Sequence, residues 1–224
     1  MVQKTENITA EEKDPWELHD RIFSEEHMYG FVERTAKKLD FTQTLTALPL
    51  MKKYHAGQTR KGSEAIPYIY HPLLMACHAC ALGLKEDELI ATILLHDVCE
   101  DCGIEPSELD VNATVQEAVR CMTYKRLEGE TWKTAHDRYY ETIGTNRLAT
   151  ITKVIDRCNN ISTMMGTFSR KRMIEYINET EKYIMPLLDK LKFGYEGRYY
   201  DAAFLLKYHL LSVMDNDKHA ICKL

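Results

Sequence analysis

Apolar residues recur along this chain at three- and four-residue spacing, and no stretch alternates apolar and polar positions long enough to make a strand. The pattern predicts helices over roughly 15–29, 31–44, 46–56, 72–83, 86–98, 112–121, 131–141, 145–165, 169–191 and 196–215. Pro72 falls in a first helical turn, where its missing N–H removes no hydrogen bond. From Glu88 to Leu95 the chain is apolar on almost every side, the mark of a central buried helix, and that helix delivers His96 and Asp97 to its C-terminal end. Residues 57–70, with two glycines, a proline and charged side chains, are expected to form a loop between helices. A second, acidic loop is expected over 99–110. The fold class expected is all-α.

Composition narrows the setting. Of 224 residues, 45% are apolar and 28% charged, enough to bury a sizeable core, and the net charge of −5 favours neither a nucleic-acid nor a membrane partner. The longest apolar runs fall short of a bilayer span, and the opening MVQKTENITAEEKDPWELHD is too polar for a secretory signal, so a cytoplasmic protein is expected. Seven cysteines, most among apolar neighbours, suit reduced thiols. Cys77-x-x-Cys80 and Cys99-x-x-Cys102 have the spacing of a zinc ribbon, but the residues between the pairs read as helix–turn–helix and the first pair lies within an apolar helix. Free thiols are the better reading.

His-Asp occurs at 19–20, 96–97 and 136–137, so the dipeptide alone carries little information. The first and third copies sit in polar helical sequence, whereas the second ends the buried helix and is followed by Glu100 and Asp101. Burying adjacent ionisable side chains costs several kcal/mol unless a metal or a partner compensates. Adjacent residues on a helix project about 100° apart, so other helices must complete the shell. His55, just before Gly57, and Asp156, in KVIDRCNN, are the candidates. Two imidazoles and two carboxylates with open water positions suit octahedral Mn²⁺ better than closed tetrahedral Zn²⁺, with Fe²⁺ and Mg²⁺ as alternatives.

The run His55-x-x-Gln58-x-Arg60-Lys61, then Pro67-Tyr68-Ile69-x-His71-Pro72, then His96-Asp97-x-x-Glu100-Asp101, then Asp156-Arg157-x-x-Asn160, resembles the HD-superfamily hydrolase domain of the RelA/SpoT homologues, above all the small stand-alone alarmone hydrolases. The resemblance covers about residues 45–190 and includes Glu179-Thr180-x-x-x-Ile184-x-Pro186-Leu187. It implies an HD-domain helical bundle, a Mn²⁺ ion held by His55, His96, Asp97 and Asp156, and Glu100 and Asp101 as the pair that orients and deprotonates the attacking water. Arg60, Lys61, Asn160 and Thr163 would contact the nucleotide. The implied activity is removal of the 3′-pyrophosphate from guanosine tetra- or pentaphosphate, without a synthetase domain.

The organisation expected is an N-terminal helical extension over 1–44, the hydrolase domain over 45–191 and a C-terminal helix over 192–224 packed on that domain, or used for self-association as a homo-oligomer. Ser162 stands where the family often has a basic residue, and Cys102 where threonine is common. Another nucleotide therefore remains open as substrate: an adenine alarmone, an NADPH-type cofactor or a deoxynucleoside triphosphate. The expected partner is a small-molecule nucleotide.

Overall fold

The computed structural model describes residues 24–60 and 66–223, and among them the regular structure is helical throughout, with one isolated antiparallel bridge between Thr59 and Pro67. Helix α1 spans Glu25–Lys38, α2 Thr42–Tyr54, α3 Tyr70–Ala81, α4 Asp87–Leu95, α5 Val98–Cys102, α6 Ala113–Met122, α7 Trp132–Thr145, α8 Arg147–Ile161, α9 Arg170–Glu179, α10 Met185–Phe193 and α11 Tyr200–Lys223. A π-helical turn, Thr180–Ile184, joins α9 to α10 without a loop.

Helix α4 is the axis of the fold. Each residue from Leu89 to Leu95 is buried, and the helix packs against α2, α3, α6 and α8. Its first-turn acid Asp87 also organises a neighbour: Phe41, before α2, offers no side-chain cap, and the Asp87 carboxylate instead accepts from the backbone N–H groups of Gln43 (2.9 Å) and Thr44 (2.7 Å). A carboxylate at a helix N-terminus satisfies two orphan donors and meets the positive end of the helix dipole. This locks α2, which carries His55 at its C-terminal end, onto α4, which carries His96.

Several expected boundaries move. A break near residue 30 is absent: α1 runs through Gly30, and the chain turns instead at Asp40, in left-handed conformation with φ 54°. Part of the helix expected over 15–29 lies outside the described residues. The acidic segment after Asp97 is not all loop, since Val98–Cys102 forms a short helix closed by Gly103 with φ 67°. Buried Val98 and Cys99 anchor that turn, an apolar pair too short to show a period. One apolar core extends from Met28 in α1 to Ile221 in α11. Cys77, Cys80, Cys99, Cys102, Cys121 and Cys158 are free thiols. Among the described residues no helix is long and apolar enough to cross a membrane.

Candidate metal centre

His96 and Asp97 do not continue α4. The helix ends at Leu95, the next two residues turn, and α5 restarts at Val98. At this break His96 Nε2 lies 2.9 Å from Asp97 Oδ2. Two further side chains converge there. His71, in the first turn of α3, places Nε2 3.2 Å from Asp156 Oδ1 and 3.7 Å from Asp97 Oδ2. Asp156, on α8, lies 4.0 Å from His96 Nε2. His71, His96 and Asp97 can each offer a ligand atom within 4.8 Å of the others'.

The donor set fits a divalent cation, for a reason visible in the hydrogen bonds. His96 Nδ1 donates to the carbonyl of Ile93 at 2.8 Å, and His71 Nδ1 donates to Asn159 Oδ1 at 2.6 Å. With the ring proton committed on that side, each Nε2 presents a lone pair to carboxylate oxygens. His96 Nε2 is buried without a hydrogen-bond partner. Lone pairs facing carboxylates repel unless a proton or a metal cation lies between them, and a fixed Nδ1–H is the usual way a protein orients a ligating imidazole.

The two imidazoles differ in their electrostatic settings. Burial pushes the His71 imidazole toward its neutral form, with Arg60 adding to the effect. His96 is equally buried, yet Asp97 and Asp156 outweigh desolvation and raise it. Burial would raise Asp156, but Lys153 and then His71 hold it well below the ordinary carboxylate range. Lys153 Nζ sits 2.9 Å from Asp156 Oδ2 and over the ring of Tyr139, so one carboxylate oxygen is engaged and the other faces the imidazoles. The Tyr68 hydroxyl donates to Asp97 Oδ2.

Of the residues singled out in the sequence, all but Lys61 fall among the described ones. His96, Asp97 and Asp156 come together. His55 does not join them: its Nδ1 pairs with Gln58 Oε1 at 2.7 Å and its ring packs on Tyr68, 4.6 Å between centres. The second imidazole at the cluster is His71 in place of His55. Glu100 accepts from the Tyr124 N–H at 2.9 Å, and its carboxyl is raised above the ordinary value, chiefly by desolvation and then by Asp97, against the lowering effect of that N–H. Asp101 follows it on α5. Arg60 Nη2 donates to Asn160 Oδ1 at 2.9 Å, and Asn160 Nδ2 donates to Asp156 Oδ1 at 2.5 Å, so these two nucleotide candidates are chained to the cluster. Thr163 Oγ1 donates to the Asn160 carbonyl at 3.2 Å, and Lys61 lies outside the described residues. Ser162 Oγ donates to the Cys158 carbonyl at 2.7 Å and meets His209 Nε2 at 2.8 Å, so its hydroxyl ties α8 to α11.

No family model matches the chain. A Vibrio cholerae protein named guanosine-3′,5′-bis(diphosphate) 3′-pyrophosphohydrolase is 27% identical over 184 residues, 75% of this chain and 26% of that protein. The Aquifex aeolicus protein of the same name is 30% identical over 153 residues, 65% of this chain and 21% of its own length. The Escherichia coli bifunctional (p)ppGpp synthase/hydrolase SpoT is 26% identical over 191 residues, 76% of this chain and 26% of its own. A solved structure described as a metazoan ortholog of SpoT that hydrolyzes ppGpp superposes with a TM-score of 0.61 at 17% identity, covering 79% of this chain and 96% of that one.

Over about three quarters of its length the chain is similar to RelA/SpoT hydrolases. It spans about a quarter of the length of the curated relatives it matches. The superposition supports the all-α bundle, and in this chain the His-Asp pair closing the central helix meets residues from α3 and α8. Sequence reasoning missed three residues of this HD site: His71, which reads as a core histidine in an apolar helix; Asn159, hidden beside Asn160; and Lys153, whose spacing of three before Asp156 was the available signal.

Proposed function

We propose that this chain removes the 3′-pyrophosphate of guanosine tetra- or pentaphosphate, yielding GDP or GTP and pyrophosphate, with one Mn²⁺ held by His71, His96, Asp97 and Asp156. The observation that carries the reading is the pair of buried Nε2 lone pairs aimed at two carboxylates, an arrangement that calls for a cation. When bound, the ion lowers the pKa of a coordinated water toward neutrality and polarises the phosphoryl oxygen.

The chain's own residues divide the remaining work. Glu100 and Asp101 lie one turn beyond the ligands, and the raised Glu100 carboxyl is suited to take the proton of the attacking water. The Tyr124 N–H fixes one Glu100 oxygen and leaves the other for that proton. Arg60, held by Asn160, offers a planar cation to a base or a phosphate, and Asn160 connects that contact to Asp156. The names of the relatives at 26–30% identity favour the guanosine alarmone as substrate.

The test is a substrate panel: purified chain with Mn²⁺, offered guanosine tetraphosphate, its adenine counterpart, NADPH and a deoxynucleoside triphosphate in parallel. Release of pyrophosphate from the guanosine alarmone, with kcat/KM at least tenfold above the others, is expected. Turnover of another member alone would assign the site to that nucleotide, and turnover of none would overturn the hydrolase reading.

A further inference from the structure

Among the described residues, half of the large exposed apolar side chains lie at the C-terminal end of the chain. Phe193 (74% exposed) ends α10, and Tyr208 (69%), Phe204 (53%), Leu205, Leu211 and Tyr200 (46–51%) follow along α11. The inner face of α11 is separately accounted for: Ala203, Leu206, Leu210 and Met214 are buried in the core against α8 and α10. The helix is thus apolar on two faces, and no described residue covers the outer one. Lys192 stands over both Phe193 (5.2 Å) and Tyr200 (5.3 Å), which joins the end of α10 to the start of α11 as one surface.

At about 200 Å² per large side chain, the six residues expose roughly 700 Å². A monomer's largest apolar patch is usually about 300–600 Å². Standard interfaces bury about 800 Å² per partner, and a two-fold interface uses the same patch on both copies.

The charges around the patch select the pairing. A parallel pairing of two α11 helices would set Asp201 beside Asp201, Lys207 beside Lys207 and Asp215 beside Asp215. An antiparallel pairing centred between Leu206 and Lys207 lays the two apolar rows on each other and, at about 1.5 Å rise per residue, brings Arg198 of one copy level with Asp215 of the other. Arg198, just before α11, already pairs with Glu86 at 3.2 Å and Asp215 lies 3.7 Å from His219, but with 59% and 75% of their side chains exposed each can meet a second partner. We propose that the outer face of α11, with Phe193, is a homodimer interface in which two copies of this chain pair antiparallel about a two-fold axis. The metal cluster, built from α3, α8 and the α4–α5 kink, supplies no residue to this face, so hydrolysis does not depend on the pairing.

Sedimentation velocity on the full chain at micromolar concentration tests the proposal. The expected species has about twice the 26.0 kDa chain mass. Phe204→Asp with Tyr208→Asp should convert it to monomer with unchanged helical circular dichroism and turnover. Because that variant alters large side chains, a pair of exposed charge changes serves as the second arm. Asp215→Arg alone should weaken association at least tenfold, and adding Arg198→Asp should restore it. A chain that is monomeric at every concentration, or a dimer unmoved by both sets of changes, would overturn the proposal.

Discussion

His71 and His96 meet edge to face with ring centres 5.2 Å apart, each with its Nδ1 fixed by a protein oxygen and its Nε2 turned toward Asp97 and Asp156. The two rings come from consecutive helices, the start of α3 and the end of α4, and their acceptors differ. Ile93 O is backbone, one turn back on α4, and no substitution removes it. Asn159 Oδ1 is a side chain on α8 and can be removed.

Asn159→Ala should therefore release the His71 ring without touching a ligand. Loss of such an orienting partner typically costs about 10–100-fold in metal affinity. Calorimetric titration of the metal-free variant with Mn²⁺ would show it. Affinity equal to wild type would mean that His71 is oriented by other contacts.

Glu100→Gln keeps the shape of the side chain and its bond from the Tyr124 N–H but removes the base. Metal content should be unchanged, while kcat falls by roughly 10² or more if the carboxylate takes the proton in the transition state. Single-turnover kinetics at saturating substrate would separate this from weakened binding. Full activity would transfer the role to Asp101.

Legibility in the sequence followed the physics of each feature. Periodic apolar spacing located the helices because each one buries a face, and the run Leu89–Leu95 announced the central helix because α4 is buried all round. His96, Asp97 and Asp156 were readable because ionisable groups at the edge of apolar runs need compensation. His71 was not, since a single histidine in YHPLLMACHACA looks like core until Asn159 and Asp156 are seen facing it. His55, buried beside the charged loop, has a local signature like that of a ligand, yet the fold pairs it with its own Gln58 and Tyr68. The kink at His96-Asp97 carries no glycine or proline and has no local signature. Contacts between residues far apart in the chain, such as Arg60 with Asn160, exist only in the fold.

A second buried charge network bears on stability. Arg157 on α8 is enclosed and donates to Glu179 Oε1 (2.5 Å), to the Tyr140 hydroxyl (2.8 Å) and to the Tyr176 carbonyl (3.2 Å), with its guanidinium 3.8 Å above the Tyr176 ring. Burial would raise the Glu179 carboxyl, but Arg157 and the Tyr140 hydroxyl together hold it below the ordinary value. Glu179→Ala leaves the Arg157 charge without its counter-ion and should cost about 3 kcal/mol near neutral pH. Because the folded carboxyl is depressed, its contribution is complete above the unfolded value of 4.5 and fades as pH falls through the folded one. Urea unfolding from pH 7 downward should show the two proteins converging in acid. A gap that widened as pH fell would contradict the ion-pair account.

The centre itself is most directly tested by counting metal. The metal-free chain, incubated with Mn²⁺ and passed over a desalting column, should retain one ion per chain by elemental analysis, and His55→Ala should do the same. His71→Ala should retain almost none. If His55→Ala empties the site while His71→Ala stays loaded, the ion is not held by the cluster of His71, His96, Asp97 and Asp156.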